Sequence, residues 1–290
     1  MRERHEQRVR PFPLRAQPGD HICWAYPTRR GFQTSACGYL TDGLTDKQKV
    51  LCILPAEDLD PTLAAIEDLS PKLKAARVDG SLTYEPFDEA YLSPQGFDID
   101  ERIAGWVDAI DRAIFDGYSG LRVLADATPI LLDPIAAELW PVYELRADIL
   151  SVTAPFVAMC AYDSRKVDPH PLSVVQALHP TLVGAATPDQ FHLHGGMDGG
   201  LCMGGELDEL WAPLLSSVGG TIGPDVPSPT IDARGLNFID IAGIRALART
   251  VDAMGERHPF ISIHTSRGSI ERLWTLLDCD NSIDTEVVFT

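Results

Sequence analysis

Thr230-Ile-Asp-Ala-Arg-Gly-Leu-Asn-Phe-Ile-Asp240-Ile-Ala-Gly-Ile-Arg-Ala-Leu247 carries two different periodicities in one short stretch. Ile231 and Ala233 alternate with polar Asp232 and Arg234, the period of two expected of a half-buried strand. Gly235 is expected to break that run, after which Phe238-Ile239 leads into Asp240. From Gly243 onward Ile244, Leu247, Ala248 and Val251 recur at helical spacing. A strand should therefore hand over to a helix through a short loop, Asp240-Ile241-Ala242-Gly243. Backbone N–H groups at such a helix start lack intrahelical partners and are available for recognition. By pattern alone, an ordinary strand-to-helix joint fits equally well.

The same alternation recurs upstream. His21–Tyr26 reads as a short strand after the turn Pro18-Gly19-Asp20, followed by the loop 27–31 and an amphipathic segment from Phe32 to Leu44. Val50–Leu54 is a second strand, with the acidic Glu57-Asp58 and a helical pattern behind it. A weaker strand at Leu82–Tyr84 precedes the aromatic loop Tyr91–Phe97. Ile103, Trp106, Val107, Ile110 and Ile114 predict one buried face of a helix over 100–115. Leu121–Ala125 is a buried strand ending at Asp126, a helix is expected over Pro134–Leu145, and Pro155–Ala161 is a further strand. This alternation predicts an α/β fold, a mostly parallel, doubly wound sheet. Ligands of such sheets bind at the carboxyl ends of the strands. Tyr26–Gly31, Glu57-Asp58, Asp126–Thr128 and Tyr162-Asp163 should gather on that rim.

Residues 184–190 have the small, polar and proline character of a domain boundary. Beyond them, two strands flank a hairpin turn at Gly195–Gly200, and Glu206–Leu215 begins a helix. After the Gly- and Pro-rich loop 219–229 come the strand and helix quoted first, then a strand Phe260–His264. A last helix spans Ser269–Leu277, with its N-cap supplied from Ser266–Ser269, and Thr285–Phe289 is a possible final strand. These form a second, smaller α/β domain.

Composition narrows the functions. The 42 Asp+Glu against 24 Lys+Arg leave a net charge of -18, a field that repels nucleic acid and anionic membranes. The opening Arg2–Arg10 run is basic but short and mixed in sign. No apolar run approaches the ~20 residues of a membrane span, and no secretory leader is recognisable, so a cytoplasmic protein is expected. The six cysteines are scattered without a Cys-x-x-Cys pair and read as buried small hydrophobes. His192 and His194 project to one strand face, but no third ligand stands at useful spacing, so no metal site is expected. Tyr26-Pro-Thr-Arg-Arg-Gly-Phe-Gln-Thr34 occupies the place of a phosphate-binding loop without its glycines or its lysine. ATP hydrolysis is therefore not expected, and Arg29 and Arg30 read as solvated rather than anion-binding.

Gly19-Asp20-His21-Ile22-Cys23, Gly43-Leu44, Gly120-Leu121-Arg122-Val123, Tyr143-Glu144, Met159-Cys160-Ala161-Tyr162-Asp163 and His179-Pro180 fall in an order that resembles the MEDS domain. This is the sensory domain of the dichloromethane-responsive repressor, related to RecA/KaiC-like ATPases. The resemblance covers residues 12–183. It implies a RecA/KaiC-like sheet without a P-loop that senses small hydrocarbon-type ligands. A ligand pocket built from His21, Cys23, Tyr26, Asp126 and Tyr162 is expected with it. His21 and Cys23, two apart on a strand, can equally share one packed face.

Gly204–Asp208, the Asp232…Asp240-Ile241-Ala242-Gly243…Leu247 block and Ser266–Leu277 resemble a STAS domain over residues 190–290. That family includes anti-sigma-factor antagonists and the tails of sulfate transporters, and the regulatory branch is the one expected here. The antagonists carry a phosphorylated hydroxyl just before the loop glycine. Here that position is Ala242, preceded by Ile241, so the phosphate switch cannot operate. Asp240, Ile241, Ala242 and Gly243 would form the partner-binding loop, and Ile241-Ala242 suits an apolar protein contact. The implied partner is an anti-sigma factor of the histidine-kinase-like ATPase type.

The resulting expectation is a non-enzymatic signalling protein in which a sensor controls an interaction module. No catalytic constellation stands out, no particular cofactor is implied, and the small-molecule ligand is unnamed. The alternatives are a nucleotide-binding protein using the first sheet, or a haem or redox sensor built on His21, Cys23 or Cys160.

Overall fold

The computed structural model describes all residues except 1–6, 13, 93–95, 185–190, 197–198, 219–228, 257, 267 and 283–284. The expected domain boundary, the Gly/Pro-rich loop and the Arg267 part of the last helix cap lie outside the described residues.

Along the first part run β1 (Arg8–Arg10), β2 (His21–Tyr26), α1 (Arg29–Thr45), β3 (Lys49–Leu54), α2 (Leu59–Leu69), α3 (Pro71–Asp79), β4 (Leu82–Pro86) and α4 (Phe87–Tyr91). They are followed by α5 (Ile99–Phe115), β5 (Leu121–Asp126), α6 (Thr128–Leu132), α7 (Pro134–Thr153), β6 (Phe156–Asp163), α8 (Pro169–Ala177) and β7 (Thr181–Val183). All seven strands are parallel, in the order β1-β7-β2-β6-β5-β3-β4. A parallel sheet needs both faces covered, and its strands are accordingly apolar almost throughout. Ile22, Trp24, Val50, Cys52, Leu124 and Met159 pack under α1, α2 and α3. On the opposite face Cys23, Leu51, Val123, Ala158 and Tyr162 pack under α4, α5 and α7. Trp106, Ile110 and Ala113 are the buried stripe of α5. Val107 and Ile114, expected on that face, are instead exposed, because α5 rests on one layer only and its contact stripe is narrow.

A second sheet follows: β8 (His192–Gly195), β9 (Leu201–Leu207), α9 (Ala212–Val218), β10 (Thr230–Ile239), α10 (Ile241–Gly255), β11 (Phe260–His264), α11 (Gly268–Leu276) and β12 (Glu286–Phe289). Its order is β12-β11-β10-β9-β8, with β8 antiparallel to β9 and every other pair parallel. Several boundaries differ from expectation; α1, for one, begins at Arg29 inside the expected loop 27–31. β9 runs through Glu206, so the helix begins only at Ala212. β10 continues through Gly235, which sits at a shift of register against β9 rather than at a break, since glycine accommodates a bulge without ending the ladder. The helix expected to stop at Leu145 reaches Thr153.

That extension decides the architecture. Trp140, Tyr143 and Ala147 of α7 enter the core of the first sheet, while Leu145, with Val142 and Ile149 beside it, enters the core of the second. One helix therefore packs on both sheets. Among the described residues no helix is long and apolar enough to cross a membrane.

Candidate functional site

Glu144 and Asp148 lie one turn apart on α7, on the same side of the helix, and both are fully buried. The ring of His21, at the first position of β2, stands between them. Its Nε2 is 3.2 Å from Glu144 Oε2 and its Nδ1 3.5 Å from Asp148 Oδ1. His179, just after α8, stacks on His21 with ring centroids 4.0 Å apart. Its Nε2 is 3.4 Å from the same Glu144 oxygen. Cys160 Sγ on β6 lies 3.7 Å from His21 Nε2 and 3.6 Å from Glu144 Oε2. Tyr162, two residues on and so on the same face of β6, donates its hydroxyl to Glu144 Oε1 and accepts from Trp140 Nε1 at 2.9 Å.

Burial by itself would lower the pKa of His21, but the neighbouring carboxylates of Asp148 and Glu144 outweigh it and hold the group up at about 9. His179 is different. Burial and the neighbouring charge of His21 hold it down at about 4, against the pull of Glu144. Its Nδ1 faces the Val175 carbonyl at 2.7 Å, and a carbonyl only accepts, so the ring proton is on Nδ1 and Nε2 carries a lone pair. For Glu144, burial is outweighed by His179, His21 and the Tyr162 hydroxyl, which keep it ionised below its usual range. Burial pushes the Cys160 thiol well up, with Glu144 adding to the effect.

The cluster also reaches the second sheet. Asp148 Oδ2 accepts a hydrogen bond from the backbone N–H of Gly195 on β8 at 2.6 Å. A Cβ on Gly195 would stand 3.1 Å from Ile149 Cα and 2.9 Å from Ile149 Cγ1, so the absence of a side chain lets β8 approach α7 closely. A single carboxylate thus touches the imidazole of β2 and the backbone of β8.

The five residues expected to line one pocket occupy two faces of the sheet. His21, Cys23 and Tyr162 lie on the α7 side, but Tyr26 and Asp126 lie on the other, because successive strand residues point to opposite faces. The carboxyl-end rim does gather as expected. Tyr26 donates to Asp126 at 2.7 Å, Arg29 pairs with both Asp126 and Asp58, and Thr128 accepts from the Asp163 N–H at 2.8 Å. Arg29 is therefore held by two carboxylates rather than solvated. Glu144, Asp148 and His179 were not among the expected site residues. The only sequence signal for Glu144 and His179 is their place in the family-like landmarks Tyr143-Glu144 and His179-Pro180.

In the second sheet, Asp240 and the three residues after it are an N-cap and the first turn of α10 rather than a loop. Asp240 Oδ1 accepts from Gly243 N at 2.8 Å and Oδ2 from Glu209 N at 3.2 Å. The donor at Gly243 is thereby already used. A Cβ on Gly243 would meet the Leu207 carbonyl at 2.4 Å, so glycine seats the helix start on the end of β9. Ile241 is 52% exposed and Phe238 51%, and Leu210, which follows the Glu209 bonded to the Asp240 cap, is 60% exposed. His192 and His194 are buried and stacked at 5.5 Å, paired across the hairpin with Gly204 and Cys202. Among the described residues the ligand-type donors converge around His179.

A family model described as "MEthanogen/methylotroph, DcmR Sensory domain" (MEDS) matches residues 20–180. The match contains every strand of the first sheet from β2 to β6, all of α7, and the His21, Glu144, Cys160 and His179 side chains. No curated protein matches the chain.

Proposed function

The chain belongs to the MEDS family of sensory domains, and from that premise we propose that its first sheet senses a small molecule and passes the signal through α7 to a STAS-type interaction module. The observation that carries this reading is Asp148, whose two oxygens contact His21 of the sensory sheet and Gly195 of the second. A change at the buried cluster would be felt directly by β8. In this reading the first sheet is a RecA/KaiC-like fold that no longer handles nucleotide. The carboxylates of Asp58 and Asp126 hold Arg29 where an ATPase would place phosphate, which favours a non-enzymatic role over a nucleotide-binding one. A small apolar ligand suits the aromatic group of Tyr91, Phe97, Trp140 and Tyr143. Of these rings Tyr91 also lines a cleft of about 210 Å³, whose other walls include Leu92 and the charged Glu89, Asp98, Glu101 and Arg102.

Support for a STAS-type module comes from its hairpin leading into parallel strands, with α10 starting at the Asp240 cap. Exposed Leu210, Phe238 and Ile241 near that cap supply an apolar contact surface. The partner would be a cytoplasmic anti-sigma factor of the histidine-kinase-like type. Ala242 offers no hydroxyl, so control passes to the sensory sheet. The test uses the full chain as bait in extracts of its native host, beside an Ile241→Asp variant. Capture of a kinase-like anti-sigma factor that the variant loses supports the reading. Capture of no such partner, or equal capture by both baits, overturns it.

A further inference from the structure

The ligand atoms of His21, Glu144, Cys160 and His179 lie within 4.8 Å of one another, and all four residues are buried. Four of their separations are 3.2, 3.4, 3.6 and 3.7 Å. A tetrahedral Zn²⁺ with ordinary bond lengths puts nitrogen and oxygen donors about 3.3 Å apart and either of them about 3.5–3.6 Å from a sulfur. The two shorter distances here are between N and O, and the two longer involve S. These four of the six separations match a tetrahedral coordination shell, and all six lie within 4.8 Å.

A second observation points the same way. His179 Nε2 is fully buried and makes no hydrogen bond. Its tautomer, fixed by the Val175 carbonyl at 2.7 Å, aims a lone pair at a carboxylate oxygen 3.4 Å away. Two acceptors face each other in the interior, an arrangement that a cation between them would satisfy. The surroundings complete the pattern of a metal centre, in which ligating groups are oriented by outer partners. Asp148 stands at His21 Nδ1, Val175 at His179 Nδ1, and Tyr162 holds the second oxygen of Glu144.

We propose that His21, Glu144, Cys160 and His179 form a tetrahedral site for one borderline divalent cation of the Zn²⁺ class. Two imidazoles and a thiolate disfavour Mg²⁺ and Ca²⁺, which take oxygen shells. Donors this close together admit an ion and leave no room among them for a haem ring. Binding displaces the thiol proton of Cys160 and the proton that His21 shares with Glu144, and both leave to solvent. The site deepens the sensory reading by giving the buried cluster a ligand, but it stands on its own geometry.

The experiment uses the full chain. Metal content is measured as purified, and chelator-stripped protein is titrated with Co²⁺ and followed by absorption. The expected result is one equivalent per chain, with tetrahedral d–d bands and a thiolate-to-cobalt charge-transfer band. Cys160→Ser should abolish the charge-transfer band. His179→Gln should weaken binding more than the about 10–100-fold loss typical of an outer-sphere change such as Asp148→Asn. His192→Gln should bind like the parent. If His179→Gln does not fold, the charge-transfer band of the parent and its loss in Cys160→Ser decide the matter. No Co²⁺ uptake, uptake without a thiolate band, or unchanged spectra in Cys160→Ser overturns the site. Capture of the anti-sigma partner is measured on the same preparations. Capture by protein that takes up no Co²⁺ sinks the site alone, whereas metal binding without capture sinks the sensor-to-partner reading.

Discussion

Asp148 is a polar residue at which the two sheets meet, beside the apolar Val142, Leu145 and Ile149 of α7, and truncating it should reveal what that contact contributes. In Asp148→Ala the Gly195 N–H loses its 2.6 Å acceptor inside the protein, where an unsatisfied donor costs about 1–3 kcal/mol. The His21 ring also loses one of its two carboxylates. Removing a partner from a buried ion pair costs about 3–5 kcal/mol, but Glu144 remains 3.2 Å away, which keeps this contribution near the lower end or below. Because the two costs share one site they do not simply add, and about 3–5 kcal/mol is expected in all. Asp148→Asn keeps an acceptor of the same size for Gly195 and gives up only the charge, so its loss should be about half as large. Urea unfolding followed by tryptophan fluorescence reads both variants. Three of the five tryptophans, Trp24, Trp106 and Trp140, lie in the first unit, and Trp211 and Trp274 in the second. A loss below about 1 kcal/mol in Asp148→Ala, or equal losses in the two variants, would refute the reasoning.

Arg122 is a fully buried cation on β5 that donates to Gln48 at 2.6 Å and to the Ala16 carbonyl at 3.1 Å. Arg122→Met strands those acceptors, each at a cost of about 1–3 kcal/mol, read as a lower urea midpoint. Gly204→Ala would put a methyl group 2.5 Å from His192 Nε2 and 3.0 Å from the Gly235 carbonyl. It should cost about 1–3 kcal/mol by overpacking, and equal stability by thermal unfolding would contradict the described hairpin packing. Ala242→Ser restores a hydroxyl at a half-buried helix start and should change stability by under about 0.5 kcal/mol. Incubated with the captured kinase-like partner and labelled ATP, only the serine variant should take up phosphate at this turn; labelling of the parent at residues 240–243 would refute the assignment.

Much of the fold could be read along the chain. Runs such as Val50–Leu54 and Leu121–Ala125 are apolar because both faces of a parallel strand are covered, and the intervening helices repeat their apolar residues at helical spacing. Ile244, Leu247 and Val251 likewise place the buried side of α10 correctly. The reading failed where a residue's burial contradicts its chemistry. Glu144, Asp148 and Ser151 are polar and fully buried, so the apolar periodicity of α7 fades after Leu145 although the helix continues to Thr153. Gly235 reads as a break because a bulge and a strand end look alike in one dimension.

The candidate site divides in the same way. Local alternation put His21 with Cys23 and, with the pleat taken into account, sets Tyr26 on the other face; that much is decided by bonds between neighbours in sequence. The convergence of β2, α7, β6 and the end of α8 on Glu144 could not be read this way, because the donors are separated by up to 158 positions, from His21 to His179. The sequence by itself determined strand and helix periodicity, the acidic field and the missing hydroxyl at Ala242. Only the tertiary structure decided that α7 serves two cores and that four ligand-type side chains meet beneath it, because burial, ionisation and donor spacing are properties of packed neighbours rather than of residue order.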